Sequence, residues 1–245
     1  MEEILIITGG SKGIGSGIVD AYLQNGVRVF SIARTVNTKL TEAGVTQIEL
    51  DLTKTDRIET EFSKIFNLLQ PEKISKITLV NNAGTLGKIG PLEKLDAINI
   101  TKTITLNTTV PFLCSALFVA HTKEWKALKT IINISSGAAL KPYFGWSVYC
   151  STKAAINMLT QTLAVEQAEV ENGVSVLAIA PGVVDTDMQV EIRQSNQSDF
   201  KDVERFVALK EEGELNDISN VGLAIFKMDR DTNIASGSIL RVEGK

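Results

Sequence analysis

A chain of 245 residues, 44% hydrophobic and 22% charged, is ordinary for a globular protein and long enough to bury one α/β core. Its net charge of −4 offers nothing to nucleic acid or an anionic membrane. Two cysteines and one histidine exclude a disulfide framework, a metal site and histidine-based acid–base chemistry. No run approaches the ~18 apolar residues of a membrane span, and a strand starting at residue 4 leaves no room for a secretory leader.

The elements follow in chain order. Ile4-Leu5-Ile6-Ile7-Thr8 is a short β-branched and aliphatic run, the pattern of a buried parallel strand. Gly9-Gly10-Ser11-Lys12-Gly13-Ile14-Gly15 follows, and then helical periodicity over 14–25. A glycine-rich turn between strand and helix lets backbone approach a pyrophosphate, and the helix N-terminus adds free N–H groups and partial positive charge. Such a cluster can also be only structural; its place directly after the first strand favours a dinucleotide site.

The second strand, 27–32, ends in Ala33-Arg34, where an enzyme using NAD is expected to carry Asp or Glu for the ribose hydroxyl. Arg34, with Lys12 in the glycine loop, suits the 2′-phosphate of NADPH instead, unless both are merely solvated surface charges. Further strands read at 46–50, 76–81, 129–135, 173–180 and 238–242, with helices at 56–69, 98–124, 149–171 and 217–228. This alternation predicts a single domain spanning 1–245. Its fold is a Rossmann-type, doubly wound parallel sheet of about seven strands with helices on both faces. The polar segment 183–216 follows a strand, where ligands bind in such sheets, and reads as a substrate lid or a surface excursion.

Chemistry concentrates in Tyr149-Cys150-Ser151-Thr152-Lys153. Tyrosine and lysine four residues apart share one helical face, and a neighbouring cation favours the ionised phenol. Ser136, after the apolar run Ile131 to Ile134, can hold a substrate oxygen beside the phenolic proton. The set is a proton-delivery device for a carbonyl. Cys150 reads as a packing residue and not as a reactive thiol.

These residues resemble the short-chain dehydrogenase/reductase family along the whole chain. The resemblance rests on Thr8 to Gly15, Asp51-Leu52, Asn81-Asn82-Ala83-Gly84, Ser136, Tyr149 with Lys153, and Pro181-Gly182 followed by Thr186. Within the family the chain looks most like sepiapterin reductases and benzil (1,2-diketone) reductases. That narrower likeness rests on Asn82 to Gly87, Pro142 to Cys150, Asp185 to Gln189 and Leu209 to Leu215.

The resemblance implies that Tyr149 donates the proton and Ser136 holds the carbonyl oxygen. Lys153 would tune the tyrosine and hold the nicotinamide ribose, and Asn107 would anchor a water relay to Lys153. It further implies that the glycine loop, including Ser11 and Ile14, holds pyrophosphate. Asp51 and Leu52 would meet the adenine, Asn82, Ala83 and Gly84 the adenosine ribose, and Pro181, Gly182, Val184 and Thr186 the nicotinamide.

Phe144, Trp146, Val183 and Met188 make an aromatic and aliphatic set suited to a flat ketone or diketone, though core packing would use the same residues. Sepiapterin reductases carry an acid near the C-terminus that grips the pterin. Here an ungapped match puts Arg241 in its place, with Glu243 two residues on, which leaves an aromatic diketone as good a substrate. The family also implies a homodimer or homotetramer, and the composition a cytoplasmic setting. The rival readings are a non-catalytic NADPH-binding regulator and an NADP-dependent alcohol or hydroxysteroid dehydrogenase working oxidatively.

Overall fold

The computed structural model describes residues 1–243. Seven strands form one parallel sheet: β1 (Glu2–Thr8), β2 (Arg28–Ala33), β3 (Thr46–Glu49), β4 (Ile74–Asn81), β5 (Leu128–Ile134), β6 (Ser175–Ala180) and β7 (Ile239–Arg241). Their order is β3-β2-β1-β4-β5-β6-β7, with every neighbouring pair parallel. The order reverses between β1 and β4, and that switch point leaves a crevice beyond the carboxyl ends of the strands.

β1 shows why the sheet is covered on both sides. Ile4 and Ile6 point into one apolar layer, with Phe62, Phe66, Cys114 and Phe118. Leu5 and Ile7 point into the opposite layer, with Ile18, Tyr22, Val221 and Ile225. The first layer is built by α3 (Ile58–Asn67), α5 (Val110–Thr122) and α6 (Ser147–Ala168); the second by α1 (Gly13–Gln24), α2 (Thr38–Glu42) and α9 (Ile218–Arg230). α1 and α9 touch backbone to backbone, since a Cβ on Gly222 would come within 2.0 Å of the Gly17 carbonyl oxygen.

Three expectations need correction. The segment read as one helix over 98–124 is α4 (Ala97–Ile104), a π-helical turn at Thr105–Thr109, and α5. Pro111 has no N–H to return to the carbonyl four residues back, so the regular ladder cannot pass through this point. The stretch Ala97–Thr122, 26 residues, is also long and apolar enough by length and composition to cross a bilayer, contrary to the sequence expectation. Val110, Cys114 and Phe118 from it are buried in the sheet-facing layer, as in the core helix of a globular fold. Finally α2 was not expected: it is five residues long, and of its side chains only Leu40 is buried.

Segment 183–216 folds as α7 (Asp187–Arg193) and α8 (Val203–Glu211), returning to the sheet where Val184 bridges Asn216. Its inward side chains Ile192, Phe200 and Phe206 join Leu86, Ala138, Trp146 and Tyr149 in a third apolar cluster, separate from the two sheet layers.

Candidate active site

A cleft of about 1650 Å³ runs across the carboxyl ends of the strands. It begins at the glycine loop. Gly13 has φ +55°, which a side chain would strain, and a Cβ on Gly15 would lie 2.0 Å from the Gly9 carbonyl oxygen. α1 starts there with no side-chain cap and no acidic residue in its first turn, so its leading N–H groups remain available to an anion. This uncapped, close-packed turn fits a dinucleotide pyrophosphate.

Thr8 and Asn82 tie the loop to β4. The Asn82 Nδ2 donates to the Thr8 and Gly9 carbonyls at 3.0 and 2.9 Å, and the Thr8 hydroxyl accepts from the amides of Asn82 and Ala83. Asn82 therefore holds the loop in shape as well as lining the cleft. Arg34, Asp51, Leu52, Ala83 and Gly84 line the same wall. The Asp51 carboxyl is held below its usual range, first by the Thr53 hydroxyl at 2.8 Å and the Thr53 amide, with Arg34 and Lys102 adding attraction.

Lys12 lines the cleft, but its Nζ lies 2.7 Å from Asp187, the first residue of α7. Lys210 of α8 pairs in the same way with Asp185. Segment 183–216 is thus tied to the glycine loop by Lys12 and Asp187 and to Lys94 by Asp199 at 2.9 Å, while the Lys210–Asp185 pair lies within the segment. Exposed pairs of this kind are screened by water and contribute little to stability.

Further along the cleft stand Ser136, Tyr149 and Lys153. Ser136 follows β5 and accepts from the Ala138 amide at 3.1 Å; Tyr149 and Lys153 project from the first turns of α6, both buried. The Lys153 Nζ sits 5.9 Å from the Tyr149 ring centre and donates to the Ile134 carbonyl at 2.7 Å.

The expected acidification of the phenol is absent from this arrangement. Burial pushes Tyr149 above its usual range, opposed only in part by a hydrogen bond with Ser136. Burial also lowers the Lys153 ammonium to about 8. The two side chains do share one face, but the sequence could not supply the burial that shifts each of them.

Asn107 stands one layer behind, on the π-helical turn. Its Oδ1 accepts from the Thr85 amide at 2.9 Å, and its Nδ2 donates to the Thr85 carbonyl and the Thr152 hydroxyl. It fastens the loop after β4 to α6, and a Cβ on Gly84 would lie 3.4 Å from Asn107 Oδ1 and 3.8 Å from Lys153 Nζ.

Pro181, Gly182, Val183, Val184, Thr186 and Met188 line the far wall with Trp146. Phe144 does not. It is 47% exposed, outside the cleft, with the Lys201 ammonium 5.3 Å from its ring centre. Gly145, at φ +86°, turns the chain so that Tyr143 and Trp146 face inward while Phe144 between them faces out. Sequence reasoning missed Phe200, which stacks on Trp146 at 4.4 Å, and Phe206 beside it. The available signal was two phenylalanines in an otherwise polar tract. Arg241 lines the cleft at the end of β7.

A glycine turn at a topological switch point, followed by serine, tyrosine and lysine on one cleft wall, defines a dinucleotide-dependent oxidoreductase. The short chain dehydrogenase family matches residues 3–197, and the chain belongs to it. Over 245 residues it is 40% identical to the benzil reductase ((S)-benzoin forming) of Bacillus cereus, covering 98% of both chains. It is 33% identical to the sepiapterin reductase of Rattus norvegicus over 94% of this chain and 92% of that one. Among solved structures, ElxO with NADP bound superposes with a TM-score of 0.81 at 26% identity, over 99% of this chain and 97% of that one.

Proposed function

We propose that the protein is an NADPH-dependent carbonyl reductase acting on a ketone or 1,2-diketone of the benzil or sepiapterin type. The observation that carries this reading is the convergence of half-buried Ser136 with buried Tyr149 and Lys153 in one cleft. The full-length similarity to a benzil reductase supports the substrate class.

The cofactor supplies the hydride; the chain's own residues handle the oxygen. The Ser136 hydroxyl holds the carbonyl oxygen, and Tyr149 gives its phenolic proton to that oxygen as negative charge develops there. A phenol held above its usual range is fully protonated at neutral pH, so the donor is loaded before substrate arrives. Lys153 holds the nicotinamide ribose hydroxyls and stabilises the phenolate left behind. Val184 and Thr186 orient the nicotinamide, while Asp51 and Leu52 receive the adenine. Arg34 and Lys12 favour the 2′-phosphate: both line the cleft, and the residues after β2 (Arg34, Thr35, Val36, Asn37) include no carboxylate.

The segment 183–216 serves as the lid within a single domain. Exposed Phe112 on α5, with Met158 and Val165 on α6, supplies apolar surface for a homodimer or homotetramer through those helices, and the cytoplasm is the setting.

The test is a screen of NADPH oxidation against benzil, sepiapterin and simple aromatic ketones, run beside the reverse reaction with NADP⁺ and the alcohols. Reduction of a diketone is expected. No NADPH oxidation with any carbonyl would leave a binding protein, and a faster reverse reaction an oxidative dehydrogenase. Tyr149→Phe should lower turnover by about 10²–10⁴-fold with cofactor affinity kept, the range of a positioned general acid. A variant retaining a tenth of wild-type activity would remove Tyr149 from that role.

A further inference from the structure

Among the described residues lining the cleft, only Trp146 and Gln189 carry buried side-chain polar atoms without a hydrogen-bond partner. Trp146 is 6% exposed and Gln189 2%; the indole Nε1 and both ends of the Gln189 amide are unsatisfied. A buried polar group without a partner costs stability, so its retention calls for a ligand that completes it.

Both residues line the cleft that also holds Ser136 and Tyr149. Trp146 stands edge-on to Tyr149, ring centres 5.5 Å apart. Gln189 shares the inward face of α7 with Ile192, three residues on, and Ile192 packs in the cluster that holds Trp146 and Tyr149. Leu86, Ala138 and Phe206 add apolar surface beside them.

Ser136 and Tyr149 satisfy one oxygen, and the surplus donors imply a second. An indole N–H can only donate, whereas an amide can donate to a carbonyl or accept from a hydroxyl. A second oxygen next to the first, on an otherwise apolar molecule, meets both conditions. We propose that Gln189 and Trp146 bind the oxygen on the carbon adjacent to the reacting carbonyl, and so select vicinal dicarbonyls and α-hydroxyketones over simple ketones. This rests on the carbonyl-reductase reading above. It assigns the selectivity to two side chains that act on substrate recognition and leave proton transfer to Tyr149.

The experiment compares benzil with deoxybenzoin, the same skeleton lacking one oxygen, in wild type, Gln189→Met and Trp146→Phe. Intrinsic reactivity differs between the two ketones, so the readout is the change in the ratio of their kcat/KM values. In each variant the ratio of kcat/KM on benzil to that on deoxybenzoin should fall by about 10-fold, the scale of one hydrogen bond, whatever common loss the two ketones share. Gln189→Met, which replaces an unsatisfied amide by a thioether of similar shape, should also raise the melting temperature of the free protein, an effect a structural glutamine would not give.

Equal losses on both ketones, an unchanged ratio, or a lowered melting temperature for Gln189→Met would overturn the assignment while leaving carbonyl reduction intact. Should wild type reduce neither compound, the functional reading falls and this one with it. If Gln189→Met does not fold, the assignment of Gln189 is overturned, and Trp146→Phe alone decides whether the indole makes the contact.

Discussion

Asp229 offers a stability test independent of any function. At the C-terminal end of α9 its fully buried carboxylate accepts from the Tyr22 hydroxyl at 2.9 Å and the Thr78 hydroxyl at 3.0 Å. Its other oxygen lies 3.0 Å from the Lys76 ammonium, which also donates to the Asp229 main-chain carbonyl. These contacts join α1, α9 and β4. Asp229→Leu leaves an ammonium buried beside one carbonyl and two hydroxyls without their acceptor.

Breaking a buried pair by removing one partner costs about 3–5 kcal/mol, and each stranded hydroxyl about 1–3 more, though the losses overlap. We take about 4 kcal/mol as the expected loss. At roughly 2–4 °C per kcal/mol for a chain of this size, the melting temperature should fall by about 8–16 °C. The double variant Lys76→Met/Asp229→Leu, which replaces both charges by apolar groups, should recover most of that loss. Urea unfolding followed by circular dichroism, at one protein concentration, measures Asp229→Leu, Lys76→Met and the double variant. A single-variant loss below about 1 kcal/mol, or a double variant worse than the sum of the singles, would refute the electrostatic account.

Three predictions concern the site. Arg34→Ala should weaken NADPH far more than NADH, measured as the two dissociation constants by fluorescence titration; equal weakening would remove the 2′-phosphate argument. Asp187→Ala frees Lys12 from its 2.7 Å partner and should tighten NADPH by a few-fold, an effect that disappears in Lys12→Ala. The pH dependence follows from Lys153. Burial disfavours its charged form, so the proton is lost near pH 8, whereas Tyr149, shifted upward, is still protonated there. The kcat/KM for reduction should therefore fall as pH rises through about 8, and Lys153→Arg should carry the decline to higher pH. A profile flat to pH 9.5, or one unmoved in the arginine variant, would assign the limb elsewhere.

What the sequence made legible was local. β1 is readable because both faces of the strand are apolar, and α1 because a glycine turn precedes a 3.6-residue period; each signal lies within a dozen residues. The site motifs were legible for the same reason, since Tyr149 and Lys153 are one turn apart. What was missed depends on distant partners. Phe200 has meaning only because Trp146, far away in sequence, stacks on it, and Gln189 only because α7 folds inward. Asn107 finds its partners in the Thr85 backbone, 22 residues away in the chain. The phenol's upward shift needed the burial of Tyr149 in the third apolar cluster.

The strand order has a consequence for how the chain is made. β1 is central, and one of its edges belongs to β4, with Ile4 beside Ile77. A ribosome that has released only the first sixty or so residues therefore exposes Ile4-Leu5-Ile6-Ile7 along a bare edge, a template for wrongful pairing between nascent chains. Truncations ending before β4 should form aggregates, whereas those ending after β5 already have that edge covered.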